Sequence, residues 1–279
     1  MTGAVGGEGG SGSGLLAGDA VLLADVGNSR IKLARLVESP ARGGAGLPAI
    51  DRRQDLDSHT FRPENLERWL GTVAPGPAVI LVASVHDTAA ARLEAAVAEI
   101  SATRHRPIRQ RRISHVDLPL EVRLPEPHRV GIDRLAGAAA CRLVAPAGRA
   151  CVLVDCGTAA TVDLIAADGS FLGGAILPGP VLMARALADG ASRLTAAAVS
   201  GPAAPPPMPG RSTGEAIAVG IGFGMQGAIA RLEAEARCVL GPDAVTVLTG
   251  GWRAAVREAL PEAIEVPDLV LAGIALAVS

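Results

Sequence analysis

Short apolar runs that end in polar turns alternate with helical patterns along the first half of the chain. Residues 21–24 are apolar and 31–37 are mostly apolar, and the two runs flank Asp25-Val26-Gly27-Asn28-Ser29-Arg30, which predicts a hairpin around a Gly-Asn turn. A buried strand is predicted over 78–85. Apolar side chains at helical spacing predict a helix over 88–100. Residues 38–60 are polar and rich in Pro and Gly, and we expect a loop with one irregular strand.

The second half repeats this arrangement. An Ala-rich helix is predicted over 134–144, strands over 151–154 and 160–165, and a long helix over 214–240. An apolar strand followed by Asp-x-Gly and another strand occurs once in each half, at Asp25 and again at Asp155. The pattern predicts a duplicated α/β fold. The predicted units are a Gly/Ser-rich tail (1–19), an N-terminal domain (20–129) and a C-terminal domain (130–279).

Composition narrows the class of protein. The chain has 279 residues and a net charge of −2, so it has no electrostatic footprint for nucleic acid or an anionic membrane. The longest apolar stretch, 269–278, is too short for a membrane span, and no basic segment precedes an apolar one as in a signal peptide. The four cysteines lack CxxC spacing, and we expect free thiols in the cytoplasm.

The segment around Asp25 has the residues of a phosphate-binding turn. Gly27 allows close approach of a ligand to the backbone, and N–H groups in such a turn hold phosphate oxygens. Ser29 adds a hydroxyl, and Lys32, the only lysine in the chain, adds a positive charge. The alternative is an ordinary Gly-Asn hairpin with a solvated Asp25.

Two further segments extend this chemistry. Asp155-Cys156-Gly157-Thr158 is a second Asp-x-Gly turn, and Thr249-Gly250-Gly251 joins a predicted strand to a helix, where adenosine or phosphate would lie against the backbone. Two facing Asp-x-Gly turns would supply carboxylates for a hard cation and N–H dipoles for phosphates, as a Mg–nucleotide complex requires. Each segment alone is also explained as an ordinary turn.

The run Gly131-Ile132-Asp133-Arg134 opens the Ala-rich helix and has two interpretations. Asp133 is a good N-cap residue, with Arg134 beginning the helix. Alternatively, Asp133 is a general base beside a guanidinium.

Taken in order, these segments, together with Gly-Gly-x-Ile-x-Pro-Gly at 173–179, resemble the type III pantothenate kinases of the acetate and sugar kinase, heat-shock 70 and actin superfamily. The resemblance covers residues 21 to about 273. It implies an α/β fold of two ribonuclease H-like (actin-like ATPase) domains with an interdomain nucleotide cleft. It also implies a cytoplasmic homodimer that phosphorylates pantothenate with ATP, the first step of coenzyme A biosynthesis.

The resemblance assigns roles to individual residues. Asp133 would be the catalytic base, and Asp155 would bind a monovalent cation (K⁺ or NH₄⁺). The chemistry of the first turn, rather than the resemblance, makes Asp25 the candidate ligand for Mg²⁺. The implied ATP-binding residues are Asp25, Gly27, Asn28, Ser29, Lys32 and Thr158, to which the turn after the predicted strand adds Gly250 and Gly251. The implied substrate-binding residues are Leu124, Gly131, Ile132, Asp133, Arg134 and Thr213.

Two positions depart from the family pattern. Ile132 stands where the family usually has Ala, and Leu124 stands where it usually has a Tyr that touches pantothenate; this chain contains no Tyr. The second departure leaves open a kinase of the same fold for another small molecule. A further alternative is a catalytically inactive nucleotide-binding regulatory protein, against which the intact Asp25, Asp133 and Asp155 argue.

Overall fold

A computed structural model describes residues 19–39, 46–191, 194 and 204–278. The first half forms a five-stranded mixed sheet. Its strands are β1 (Ala20–Val26), β2 (Arg30–Glu38), β3 (Ala49–Asp57), β4 (Ala78–Ser84) and β5 (Ile108–Arg112). Their spatial order is β3-β2-β1-β4-β5, in which β1, β2 and β3 pair antiparallel and β4 and β5 continue the sheet in parallel.

The second half forms a sheet with the same topology. Its strands are β6 (Cys151–Cys156), β7 (Ala159–Ile165), β8 (Phe171–Pro178), β9 (Val245–Thr249) and β10 (Ile264–Glu265). The order β8-β7-β6-β9-β10 repeats the first sheet strand for strand, including the antiparallel hairpins and the parallel pairs. This is the duplicated ribonuclease H-like arrangement of the actin-like ATPases, so the predicted fold class is confirmed.

Seven α-helices in the described residues pack against the sheets. They are α1 (Pro63–Val73), α2 (Asp87–Thr103), α3 (Ile132–Val144), α4 (Pro180–Gly190), α5 (Thr213–Leu240), α6 (Arg253–Val256) and α7 (Leu269–Ala275). None of the helices in these ranges is long and apolar enough to cross a membrane.

Successive side chains of the inner strands point to opposite faces of each sheet and so pack against different helices. In β1, Leu22 belongs to a core shared with α1 and α2, whereas Leu23 belongs to the central core. In β6, Leu153 faces the central core, and Val152 faces a core shared with α5. Helices α3 and α7 fill the centre, between the two sheets. The division of the chain at residues 129 and 130 stays a prediction.

The structure bears on three expectations from the sequence, which concern the segment 38–60, the cysteines and the N-terminal tail. The segment 38–60 contains the nine-residue strand β3, whose pairing with β2 shifts register twice, so the expectation of one irregular strand in this segment is confirmed. Cys141 and Cys151 form a disulfide, because α3 packs on β6 and brings the two buried side chains together, so the expectation of free thiols is wrong for this pair. The predicted tail, up to residue 18, lies outside the described residues.

Candidate active site

The first Asp-x-Gly turn (residues 25–29) follows β1, the central strand of its sheet. Asp25 is almost fully buried and lies directly across the hairpin from Lys32, whose Nζ is 3.3 Å from the Asp25 Oδ2. The Gly27 N–H donates to the Arg30 carbonyl at 3.0 Å. Ser58 donates its hydroxyl to the Gly27 carbonyl at 2.8 Å. The turn is therefore held from both sides.

The second Asp-x-Gly turn (residues 155–158) begins within the last two residues of β6. It is closed by a shorter internal bond, from the Gly157 N–H to the Ala159 carbonyl two residues on, at 2.9 Å. The two turns meet: the Thr158 hydroxyl donates to the Ser29 hydroxyl oxygen at 2.9 Å. The duplicated segments therefore face one another across the boundary between the two halves, as the sequence predicted. Residues of both turns that the family resemblance assigns to ATP lie in one place.

The third predicted nucleotide segment packs on the second turn. Gly250 follows β9 and has φ +91°, a conformation that favours glycine. A Cβ at Gly250 would lie 2.4 Å from the Asp155 Oδ1 and 2.3 Å from the Cys156 carbonyl oxygen. Only a glycine leaves room for the Asp155 carboxylate here, so the turn that begins with Thr249 closes one side of the cleft.

Asp133 lies in the first turn of α3. The helix begins at Ile132 with Gly131 as its N-cap, so the interpretation of Asp133 as the N-cap residue is wrong. Its Oδ1 instead accepts the backbone N–H of Arg134 at 2.8 Å. A Cβ at Gly131 would lie 2.6 Å from that Oδ1, so the missing side chain makes space for the carboxylate.

The acidic side chains influence one another across the cleft. Burial raises the pKa of Asp133, and the negative charge of Asp25 raises it further. Burial likewise raises the pKa of Asp155 to about 6, opposed by Lys32 and reinforced by the charge of Asp133. Asp25 raises the pKa of Lys32 well above its usual range, with a smaller contribution from Asp155. These couplings place all four groups in a single electrostatic cluster.

One further acidic residue belongs to this cluster and is not among the residues predicted from the sequence. Asp163, in the middle of β7, is fully buried. It accepts hydrogen bonds from the guanidinium of Arg134, whose Nε is 3.0 Å from the Asp163 Oδ1. Burial raises the pKa of Asp163, and Arg134 opposes that shift. A lone acidic residue in the apolar segment of β7 was the available signal, because carboxylates are seldom buried without a partner.

Three of the predicted substrate-binding residues are not part of the acidic cluster. Leu124 packs against the backbone at Gly173, with 3.5 Å between its Cδ2 and the position of a Cβ there. Ile132 is buried in the central core. Thr213 is the first residue of α5 and is exposed, and no hydrogen bond in the described ranges joins it to the acidic cluster.

The charge balance of the cluster fits bound cations. It contains two more acidic than basic side chains, the members being Asp25, Asp133, Asp155, Asp163, Lys32 and Arg134. In the described part of the chain, no three His, Cys, Asp or Glu side chains are grouped to hold a metal ion by themselves. Mg²⁺ does not need such a cage, since it is commonly bound through one or two carboxylates, water and the substrate phosphates.

Two sheets of one topology, with paired Asp-x-Gly turns and an acidic cleft between them, define a phosphotransferase of the actin-like ATPase class. The sequence model of the type III pantothenate kinases matches residues 21–235, and the chain belongs to this family. It is therefore a kinase.

Curated relatives span nearly the whole chain. A type III pantothenate kinase from Rhodopirellula baltica is 35% identical over 269 residues, which cover 88% of this chain and 94% of the relative. One from Halorhodospira halophila is 35% identical over 258 residues, covering 91% and 95%. A Campylobacter jejuni crystal structure assigned to the Baf family of transcriptional activators aligns with TM-score 0.51 at 18% identity, over 92% of this chain and 96% of that one. That likeness supports the fold alone.

Proposed function

We propose that this chain transfers the γ-phosphoryl group of ATP to the primary hydroxyl of pantothenate, giving 4′-phosphopantothenate. Family membership supports the reaction. The observation that carries the assignment of its site is the position of Asp133, a partly buried carboxylate electrostatically coupled to both Asp25 and Asp155. A base placed between two phosphate turns lies where an acceptor hydroxyl must meet the γ-phosphate.

Asp133 is the general base in this proposal. Its Oδ1 is engaged by the Arg134 N–H, so Oδ2 takes the proton of the hydroxyl. The hydroxyl oxygen then bonds to the γ-phosphorus, the bond from phosphorus to the β–γ bridging oxygen breaks, and ADP leaves. The raised pKa of Asp133 makes its carboxylate a stronger proton acceptor than an exposed one.

The two Asp-x-Gly turns bind the phosphates. Gly27, Asn28 and Ser29 present backbone and hydroxyl groups on one side, and Thr158 does so on the other, which its contact with Ser29 supports. Gly250 and Gly251 form the surface for adenosine, beside Asp155. Lys32 contributes positive charge at the first turn.

Cations complete the charge balance. Mg²⁺ would be held through Asp25 together with the ATP phosphates, and a monovalent cation, K⁺ or NH₄⁺, would be held by Asp155. Their chemistry is neutralisation of the phosphates and of the surplus carboxylates. Burial raises the pKa of Asp155 to about 6, since Lys32 offsets the lost hydration only in part and the neighbouring carboxylates add to the shift. A cation at this carboxylate would supply the positive charge that favours its ionised form.

A homodimer is proposed for the assembly. Apolar side chains are exposed on β8, α4 and α5, at Ile176, Leu187 and Phe223, and α4 packs against both neighbours. A second copy would cover this surface, which is unusual for a monomer. Light scattering after size-exclusion chromatography should therefore give twice the 28.1 kDa mass of the chain.

The decisive experiment is release of ADP by the purified full-length protein with ATP, Mg²⁺ and K⁺, with and without pantothenate. Pantothenate-dependent release supports the proposal. Release stimulated only by another alcohol would identify a kinase of different specificity, and ATP binding without release would identify a regulatory protein.

A further inference from the structure

A buried ion pair lies beside the cleft and has no part in the mechanism above. Asp163 is 0% exposed. It lies in β7, between β6 and β8, and its partners in those strands are Leu153 and Gly174. A carboxylate inside a sheet loses its hydration and needs a well-placed cation in return. Apolar residues of similar size stabilise such positions as well or better, so a buried carboxylate calls for an explanation beyond folding.

Its partner is Arg134, the residue next to the proposed base. The Arg134 Nε lies 3.0 Å from Oδ1 and 3.3 Å from Oδ2 of Asp163, and Nη2 also donates to Oδ1. The guanidinium carbon is 5.6 Å from the centre of the Phe171 ring. Two N–H groups and one face of the guanidinium are thus engaged, and no residue in the described ranges accepts from Nη1.

The opposite strand is shaped to leave space for this carboxylate. A Cβ at Gly174 would lie 2.6 Å from the Asp163 Oδ1 and 2.1 Å from the Val162 carbonyl oxygen. A side chain at Gly174 would therefore displace Asp163 or the strand. The need for this space explains why residue 174 is a glycine, although Gly174 has no role in the proposed mechanism.

The geometry points to Asp163 as a positioning residue that orients the Arg134 guanidinium so that its Nη1 edge receives the carboxylate of pantothenate. The inference rests on the proposed function, in which Arg134 belongs to the substrate-binding run. A free arginine samples many rotamers, whereas a guanidinium clamped by a carboxylate and a ring keeps its donors in one orientation. Asp163 acts only through Arg134, since it lies inside the sheet.

The test is the Michaelis constants of Asp163→Asn for both substrates. Asn keeps the volume but removes the charge that holds the guanidinium. We expect the KM for pantothenate to rise roughly tenfold to hundredfold, as for one lost charge-assisted hydrogen bond. The KM for ATP should stay within about twofold. An equal rise in both constants, or in neither, would overturn the inference.

A matched control separates positioning from general loss of stability. Glu233 and Arg237 form a partly buried ion pair on α5, and Glu233 accepts a hydrogen bond from the Thr246 hydroxyl. Thr246 lies near the start of β9, whereas the candidate site lies at the other end of this strand, at Thr249. Glu233→Gln should lower the melting temperature and leave both Michaelis constants unchanged. If Glu233→Gln also raised the KM for pantothenate selectively, that rise would report instability and the role of Asp163 would be rejected.

A second comparison holds even if Asp163→Asn folds poorly. The pair Asp163→Leu with Arg134→Met removes both buried charges, which restores an uncharged core. If Asp163 acts through Arg134, the double variant has the same KM for pantothenate as Arg134→Met alone; independent, additive effects would overturn the inference. Absence of pantothenate-dependent ADP release in the wild type would instead reject the proposed function.

Discussion

The two Asp-x-Gly turns occupy equivalent places in the two sheets, but their charges are balanced differently. Each follows the central strand of its sheet, and each glycine N–H bonds to a carbonyl across the hairpin. Across the hairpin from Asp25 lies Lys32, whereas across from Asp155 lies Thr161, which carries no charge. The first turn therefore brings its own cation and the second does not.

This difference supports the proposal that the monovalent cation binds at Asp155. The Lys32–Asp25 pair is formed within one hairpin, so it exists before any ligand binds. Asp155 has only the more distant Lys32 to offset its burial, and its pKa is raised to about 6 as a result. The two turns are equivalent in backbone, and they differ in charge because Lys32 faces one and Thr161 faces the other.

Asp133, shared by the two turns, should give the largest effect. Asp133→Asn removes the proton acceptor but keeps an oxygen for the Arg134 N–H. We expect turnover to fall roughly 10²–10⁴-fold, with ATP binding retained and a melting temperature close to that of the wild type. Steady-state kinetics, calorimetric titration with ATP and thermal unfolding measure the three quantities.

Asp168→Asn is the control for this substitution, because Asp168 is an exposed turn residue paired with Arg123 on the surface. It should leave turnover unchanged. Near-normal turnover in Asp133→Asn would refute its role as the base.

Replacing Asp155 and replacing Asp25 should change the free energy of unfolding of the ligand-free protein in opposite directions. Because the pKa of Asp155 rises from 3.8 to about 6 on folding, the folded state binds the proton more tightly, and stability falls as pH rises from about 4 through 6. Asp155→Asn should therefore stabilise the ligand-free protein at pH 8 by about 1–3 kcal/mol and give no gain at pH 4. Asp25→Asn should destabilise it, since Lys32 loses its main partner.

Activity gives a second measure of the same variant. Asp155→Asn should raise the K⁺ concentration for half-maximal turnover by roughly 10- to 100-fold, as for a lost charged ligand. Thermal unfolding at pH 4 and pH 8 and a K⁺ titration are the measurements. A loss of stability at pH 8, or an unchanged K⁺ requirement, would contradict the distinction between the two turns.

Lys32→Ala tests the cation of the first turn. We expect the KM for ATP to rise about tenfold and the KM for pantothenate to stay nearly constant, because Lys32 adjoins the turn assigned to the phosphates. Arg35→Ala is a suitable control on the same strand, since Arg35 pairs with Asp51 of β3. Unchanged ATP kinetics in Lys32→Ala would make the lysine a structural partner of Asp25 only.

Local patterns were sufficient to predict the two hairpins and the turns that follow β1 and β6, because apolar alternation and glycine positions act over a few residues. The meeting of Ser29 with Thr158 could be expected only from the repeat and the family resemblance. The Arg134–Asp163 pair could not be predicted, since it joins residues of a helix and a strand whose register depends on the packed core. Strand β3 could be expected only as one irregular strand somewhere within 38–60, because its pairing with β2, rather than its own pattern, defines its bounds.

The smallest change in binding is expected for substitution of Leu124, which lies outside both turns. Such a substitution should affect the pantothenate side of the site and not the nucleotide side. Leu124 packs against Gly173 and the central core. Leu124→Tyr would supply one hydroxyl to pantothenate, worth about 0.5–1.5 kcal/mol for a neutral hydrogen bond. Pantothenate binding should tighten roughly threefold to tenfold, and ATP binding should not change.

Leu124→Phe isolates the hydroxyl from the ring, because the two variants differ only in that group. The tighter binding should occur in Leu124→Tyr and not in Leu124→Phe, as measured by calorimetric titration with pantothenate. Equal gains in both variants would mean that the ring alone fills space beside Gly173. A loss in both would mean that the wall at Leu124 is already closed, so that another residue of this chain makes the contact that the family usually assigns to Tyr.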